Sequence, residues 1–327
     1  MKIAYTVALC THNHADRLVR TLADLHNLGM PDAPWELLVI DNACADATPA
    51  LLASHTWPPG WKVRIVREEK LGLSNARNCA ISEAQGEYVI FIDDDETPDP
   101  DWLRAFEVLI RNHAPDAFGG RIEVLFEGER PPWLADELLG FLGQLNRAEI
   151  VAPLTQPNTS FHGGNFGFRK SVCERVGNFD ATLGRKGTDN TGGEEVDFYR
   201  RLLESGFKVW WTPDATIHHR IQSAKLKRGY FLDLHYRQGR MEAARQRGAA
   251  SRIPPRYLVP QLSRALGTFL RQWHANGLNA TVRKQMNVVY FLGFMSGWAF
   301  GDIPDTVREC ATGSRNQSKA PEASLPP

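Results

Sequence analysis

Apolar runs alternate with amphipathic stretches over the first hundred residues. Ala4–Cys10, Trp35–Ile40, Lys62–Arg67 and Tyr88–Ile92 read as strands. The last is an unbroken apolar run, which marks a strand buried on both faces in the interior of a sheet. Between them, Asp16–Leu28 sets Leu18, Leu22, Leu25 and Leu28 at helical spacing. Further helices are expected around Thr48–Ser54 and from about Ser74 to Ala84. Strands separated by helices predict a parallel, helix-covered sheet. Such sheets bind ligands beyond the carboxyl ends of their strands. Thr11-His12-Asn13, Asp41-Asn42 and Asp93-Asp94-Asp95 all close strands, so this topology lines them along one edge.

Beyond Pro100 the pattern changes. Phe118–Phe126 reads as a strand and is followed by an irregular region containing Pro131-Pro132-Trp133. Phe161–Phe168 joins a glycine-rich turn to a short strand. A polar loop, Gly184–Gly193, leads into a helix over Glu194–Ser205 that Gly206 ends at its C′ position. Lys208–Trp211 and Ala215–Ile217 are expected to be short strands. From Leu226 the chain reads as helical and basic, broken at Pro254-Pro255, and after about Ala311 its polar, Pro/Ser-rich composition predicts disorder. The expected organisation is a catalytic domain over 1–220, a basic helical segment over 221–311 and a tail over 312–327.

Composition adds an asymmetry. The formal net charge of zero conceals fourteen Lys/Arg against two acids between Arg220 and Lys284, a local +12 (14 − 2) that the rest must balance with −12. Such a segment either meets a polyanion, an anionic membrane surface first among them, or forms a solvated basic face. Nothing points to nucleic acid. Cys10, Cys44, Cys79, Cys173 and Cys310 are odd in number and form no CxxC pair, which predicts reduced thiols in a cytoplasmic protein. Ile3–Cys10 is too short for the apolar core of a signal peptide, and Val288–Phe300 falls short of the roughly 20 residues needed to span a bilayer. Peripheral association at the inner face of the plasma membrane is the expectation.

Three consecutive aspartates at a strand end repel one another unless a cation lies between them. A hard divalent ion such as Mg²⁺ or Mn²⁺, shared with substrate phosphates, is one solution. A solvated acidic turn before Pro98-Asp99-Pro100 is the other. The second acidic cluster, Gly192-Gly193-Glu194-Glu195-Val196-Asp197, opens a helix whose dipole favours acids in its first turn by roughly 0.3–1 kcal/mol each. The same placement also suits a general base beside a flexible glycine pair. His218-His219, closing a strand, reads equally as a metal ligand or as a buried, hydrogen-bonded histidine. Arg77 reads as a phosphate or base contact, or as a helix-surface residue.

Together these segments resemble the family 2 glycosyltransferases, which have the GT-A fold. Val7–Asn13 looks like that family's opening strand and Thr-x-Asn turn. Val39–Thr48 resembles its V-V-D-N-x-S-x-D-x-T segment, and Leu71–Asn78 its G-x-x-x-A-R-N segment. Asp93-Asp94-Asp95 matches the DxD motif, and Gly193–Asp197 falls where the family carries G-E-D-x-D. The likeness spans about residues 4–240 in the family's order, with exopolysaccharide-cluster members most similar, including at Pro132-Trp133 and Tyr236–Gly239.

The resemblance implies an α/β fold with a central, mostly parallel sheet flanked by helices, and a C-terminal helical basic extension. It implies that Thr11, Asn13, Asp41 and Arg77 contact the nucleotide and that Asp93 sits near ribose and metal. Asp95 would ligate Mn²⁺ or Mg²⁺, with His219 as a further ligand. Gly164, Asn165 and Trp133 would line the donor and acceptor side. Glu195 would be the general base, with Glu194 and then Asp197 as alternatives, because Glu stands where Asp is commoner. The processive Q-x-x-R-W motif is incomplete, since Ala265 follows Gln261-Leu262-Ser263-Arg264. The expected activity is therefore inverting transfer of one sugar from a UDP-, GDP- or dTDP-sugar to a saccharide or lipid-linked acceptor. A nucleotidyltransferase and a non-catalytic sugar-nucleotide-binding protein are the rival readings. A dehydrogenase fails because no G-x-G-x-x-G follows the first strand.

Overall fold

Parallel pairing begins at the first strand. In a computed structural model describing residues 2–185, 192–247 and 255–300, the first half builds β1 (Tyr5–Thr11), α1 (Ala15–Leu25), β2 (Trp35–Asn42), α2 (Thr48–Ser54), β3 (Val63–Glu68), α3 (Leu73–Glu83) and β4 (Tyr88–Asp93). β5 (Glu96–Pro98), α4 (Trp102–His113), β6 (Ala117–Phe126), β7 (Ala152–Pro153), β8 (Phe166–Arg169), α5 (Cys173–Val176), α6 (Glu194–Glu204) and β9 (Val209–Ile221) follow. The chain divides into two units. One comprises Met1–Phe126 and Leu142–Ile221; the other comprises Glu127–Phe141 and the chain from Gln222 onward. The second unit thus takes in Glu127–Phe141, which the sequence assigns to the catalytic domain.

The sheet order is β3-β2-β1-β4-β8-β6-β9-β5, with β7 on β9. β3, β2, β1 and β4 run parallel; β8 is antiparallel to both β4 and β6, and β6 is parallel to β9. Every residue of β1 is buried, as are the five apolar residues of β4. Each fully buried Val, Leu, Ile or Phe in such a strand contributes roughly 1.5–3 kcal/mol. α1 lays Leu18, Thr21, Leu22 and Leu25 on the core at the expected spacing.

Three elements differ from expectation. The two short strands expected around 208–217 are one strand, β9, kept continuous by a register shift opposite Gly120 and Ile122. A Cβ on Gly120 would lie 2.2 Å from the Ala215 carbonyl, so the pairing needs glycine there. α4 lies where no helix was expected. The Pro98 segment is a three-residue strand, β5, that pairs with β9. The expected tail over 312–327 lies outside the described residues.

In the second unit, α7 (Arg228–Arg247), α8 (Leu258–Asn276) and α9 (Val282–Phe300) form a helical cluster. α7 and α9 approach at glycines: a Cβ on Gly239 would stand 2.1 Å from the Tyr290 carbonyl, and one on Gly293 would stand 2.1 Å from that of Tyr236. Among the described residues no helix is long and apolar enough to cross a membrane.

Candidate active site

Register brings the polar strand ends together. Thr11 lies opposite Asp41 on one side of β1, and Cys10 lies opposite Asp93 on the other. The turns after β1 and β2 hold Asn13 (φ 53°) and Ala43 (φ 51°) in left-handed conformations. Such strain persists where surrounding bonds over-determine it. Here the Asn13 Oδ1 accepts from the Ala45 and Asp46 amides at 2.7 and 3.3 Å. Asp41 accepts from the Cys44 amide at 3.0 Å and from Arg67 Nη1 at 2.8 Å.

Asp94, to which the sequence assigned no role, ties these strand ends together. It is buried, accepts from Thr11 Oγ1 at 2.6 Å and faces His14 Nδ1 at 3.0 Å, while its carbonyl accepts from Thr21 Oγ1 at 2.7 Å. The Asp94 hydrogen bond holds the His14 imidazole above its ordinary pKa. Thr11 therefore positions Asp94.

Arg77 is the centre of the cluster. Expected at a nucleotide or on a helix surface, it is 1% exposed and lies among the rings of Phe91, Phe166 and Phe179 at 5.8, 5.3 and 5.7 Å. It donates to Glu194 Oε1 at 2.9 Å, Glu195 Oε1 at 3.0 Å and the Gly163 carbonyl at 3.2 Å, and its Nη2 is 3.5 Å from Asp93 Oδ1. α3 and α6 supply the two sides of this contact. Burial alone would lower the guanidinium's pKa, but Glu195, Asp93 and Glu194 push it up.

The two glutamates separate in acidity. Burial and the Glu195 charge push Glu194 up to about 7, and its Oε2 is a buried acceptor with no partner among the described residues. In Glu195 burial acts the same way and is the largest single influence, but the Arg77 charge together with hydrogen bonds from Glu194, the backbone and Arg77 holds the carboxyl below its usual value. Glu194 is 2% exposed and the Glu195 side chain 13%. Asp197 is not in the cluster: it pairs with Arg200 and Arg201 of its own helix, both at 2.8 Å.

Glu96 is the residue the sequence reading passed over. Its carboxylate accepts from the Asp93 amide at 2.8 Å and the Gly164 amide at 3.2 Å. Burial, then the Asp93 charge, raise its pKa well above the ordinary value. The signal was present, because Glu96 is the fourth acid in the Asp93–Glu96 run. Gly164 presses against this corner, where a Cβ would lie 2.2 Å from the Asp93 nitrogen. Asn165, expected on a donor wall, is fully buried instead. It donates to the Arg121 and Ala215 carbonyls at 2.7 and 2.8 Å and accepts from Trp102 Nε1 at 2.8 Å. Trp133 belongs to the second unit, edge-on to Phe231 at 5.4 Å.

Whether Asp95 and His219 suit a metal can be judged from their hydrogen bonds. His219 Nδ1 lies 2.8 Å from the Leu142 carbonyl, which only accepts, so Nδ1 carries the proton. The Nε2 lone pair then faces Asp95 Oδ2 at 3.5 Å. Arg17 Nη1 stands 3.7 Å from the same Asp95 oxygen, and a carbonyl-fixed tautomer is the usual support of a ligating histidine. Among the described residues no group of three or more His, Cys, Asp or Glu is disposed to hold a metal. An ion here would therefore depend on substrate oxygens. His218 pairs instead with Asp99 at 2.8 Å.

Three comparisons bear on the fold and family. The family model described as glycosyl transferase family 2 matches residues 6–177. The succinoglycan biosynthesis protein ExoM of Rhizobium meliloti is 23% identical over 236 residues, covering 71% of this chain and 72% of its own. The crystal structure of S. aureus TarS 1-349 in complex with UDP-GlcNAc superposes with a TM-score of 0.51 at 15% identity, covering 93% of this chain and 95% of that one. GalNAc-T7 with UDP, GalNAc and Mn²⁺ gives 0.50 at 16% identity, over 67% of this chain and 43% of that chain. The shared architecture is the GT-A fold.

Proposed function

Because the chain belongs to glycosyl transferase family 2, we propose that it moves a single sugar from a nucleoside-diphosphate sugar to an acceptor hydroxyl with inversion. The observation that carries the reading is the Glu194–Glu195 pair held on one buried guanidinium beside Asp93. Glu195, ionised at neutral pH and the more exposed of the two, removes the acceptor hydroxyl proton. The hydroxyl oxygen bonds to the anomeric carbon as the bond to the diphosphate oxygen breaks on the opposite face. The proton ends on Glu195, and the nucleoside diphosphate leaves with the electron pair. Arg77 keeps Glu195 ionised, and Glu194 shares its charge.

Asn13, Asp41, Asp93 and the turn that Thr11 holds receive the nucleotide. Asp95 and His219 would hold Mn²⁺ or Mg²⁺, whose contribution is to offset charge on the diphosphate. The Mn²⁺ and UDP in the GalNAc-T7 structure support that part of the reading. The incomplete processive motif at Gln261–Ala265 supports single transfer. The ExoM likeness supports a place in bacterial polysaccharide or glycolipid synthesis on the cytoplasmic side. A saccharide or lipid-linked acceptor at an anionic membrane accords with the basic segment and with α8. That helix leaves Val259, Leu266, Leu270 and Trp273 exposed at helical spacing, as an interfacial helix would.

The test is Glu195→Gln, assayed for nucleoside diphosphate and pyrophosphate release with and without Mn²⁺. General-base loss should lower turnover about 10²–10⁴-fold with donor affinity nearly unchanged. Near-normal turnover would transfer the role to Glu194, and pyrophosphate as product would overturn the reading.

A further inference from the structure

A second site lies wholly within the helical unit. α7, α9 and the end of the Glu127–Phe141 segment enclose an open cavity of about 540 Å³. Its charge comes from Arg283 and Lys284 in the first turn of α9. Among the described residues neither forms an ion pair, and Arg283 only stacks over the Phe141 ring at 4.8 Å. The two acids of α7 are engaged elsewhere, Asp233 with Arg237 and Glu242 with Arg245, each at 2.8 Å. Cations in a first helical turn oppose the dipole, at a cost of roughly 0.3–1 kcal/mol each. Adjacent unpaired cations there are unfavourable until an anion arrives.

The rest of the lining suits such an anion. Gln238 and Asn287 present amides with no hydrogen-bond partner among the described residues, beside Tyr290. His235, 7% exposed, stands edge-on to Phe141 at 4.7 Å, and its Nδ1 lies 3.1 Å from the Phe231 carbonyl. The Nδ1–H is spent on that carbonyl, while burial and the Arg283 charge disfavour a second proton, so Nε2 is left as an acceptor suited to a protonated phosphate oxygen and not to a bare anionic one. The glycine contacts between α7 and α9 fix this geometry before anything binds.

We propose that this cavity is a phosphate-binding site, with the Arg283 fork and Lys284 as its anchors. The phosphate belongs either to a phospholipid headgroup or to a free phosphorylated small molecule. The site does not rest on the transferase reading, because it shares no residue with the acidic cluster.

The experiment uses the full chain and three probes: inorganic phosphate, dihexanoyl-phosphatidylglycerol below its micellar concentration, and vesicles with or without phosphatidylglycerol. Calorimetry reads the first two and flotation the third. R283Q/K284Q should weaken binding at least tenfold. R264Q/R271Q, which removes the same charge from exposed positions on α8, should change it less than twofold. Binding of inorganic phosphate at comparable affinity assigns the site to free phosphates. Binding only of the lipid and the anionic vesicles assigns it to a headgroup. Equal losses in both double variants would mean diffuse charge and overturn the site, as would failure of the wild type to bind any probe. Slow donor hydrolysis in the same preparations reports on the acidic cluster and should not change in R283Q/K284Q.

Discussion

The two units handle charge in opposite ways. In the first, the Arg77 guanidinium is buried among three carboxylates that it holds at 2.9 to 3.5 Å. In the second, thirteen Lys/Arg stand against two acids between Gln222 and Lys284, and most of those described are exposed. Buried charge survives only in mutual pairs, because leaving one partner alone costs about 3–5 kcal/mol. Exposed charge carries no such penalty and remains available to a partner from outside. The acidic cluster is therefore committed to its own geometry, whereas the basic unit is arranged to meet something.

The sharpest way to break the comparison is Arg77→Leu. It removes the shared cation and leaves Glu194, Glu195 and Asp93 facing one another inside the fold. Urea denaturation at pH 7 should show a loss of about 3–5 kcal/mol. The loss should shrink at pH 5, where the carboxylates take up protons. R283Q/K284Q should instead raise stability slightly, by roughly 0.6–2 kcal/mol for the two cations together. Equal losses would mean that both sets of charges are structural.

The next effect concerns Glu194. Its pKa is raised from 4.5 to about 7, so the folded state holds its proton more tightly than the unfolded chain does. The contribution to stability is thus complete below pH 4.5, declines as pH rises towards 7 and is flat above. At 1.36 kcal/mol per unit the decline amounts to about 3 kcal/mol at most. Glu194→Gln should flatten unfolding free energy across that window relative to the wild type. Parallel profiles would remove the account in which burial and the Glu195 charge raise the Glu194 carboxyl. Glu195 acts in a different window, below 4.5, because its pKa is depressed.

The strand ends were legible because pattern and topology together place them: an apolar run ending in acids needs no tertiary information to be located. Asp93 and Asp95 were located that way, Glu195 from the acids that open a helix, and His219 from the histidine pair expected to close a strand. Arg77 was located but its surroundings were not. Only the long-range meeting of α3 with α6 shows that its guanidinium is buried, and sequence spacing carries no trace of that meeting. Asn165 misled for a related reason. A polar residue after two glycines looks like a ligand contact, yet Trp102 and two carbonyls use all its hydrogen-bonding groups. Glu96 stood in plain view beside the aspartates, but its role depends on the Gly164 amide reaching it from the turn before β8.

The smallest predicted effects test whether the helical unit is rigid in its own right. Gly239 on α7 and Gly267 on α8 are both interior helical glycines, so propensity alone predicts that alanine stabilises each by roughly 1 kcal/mol. Their surroundings differ. A Cβ at 239 meets the Tyr290 carbonyl at 2.1 Å, whereas at 267 nothing lies within 4 Å. Backbone cannot yield as a flexible side chain can, so Gly239→Ala should lose about 1–3 kcal/mol through overpacking, while Gly267→Ala should gain up to about 1 kcal/mol. Thermal unfolding of the two variants beside wild type gives the sign of each. Opposite signs would show that α7 and α9 are locked at their glycines, as a preformed cavity between them requires. Stabilisation by both would mean that the helices can separate, and the geometry around Arg283 and Lys284 would then have to form on binding.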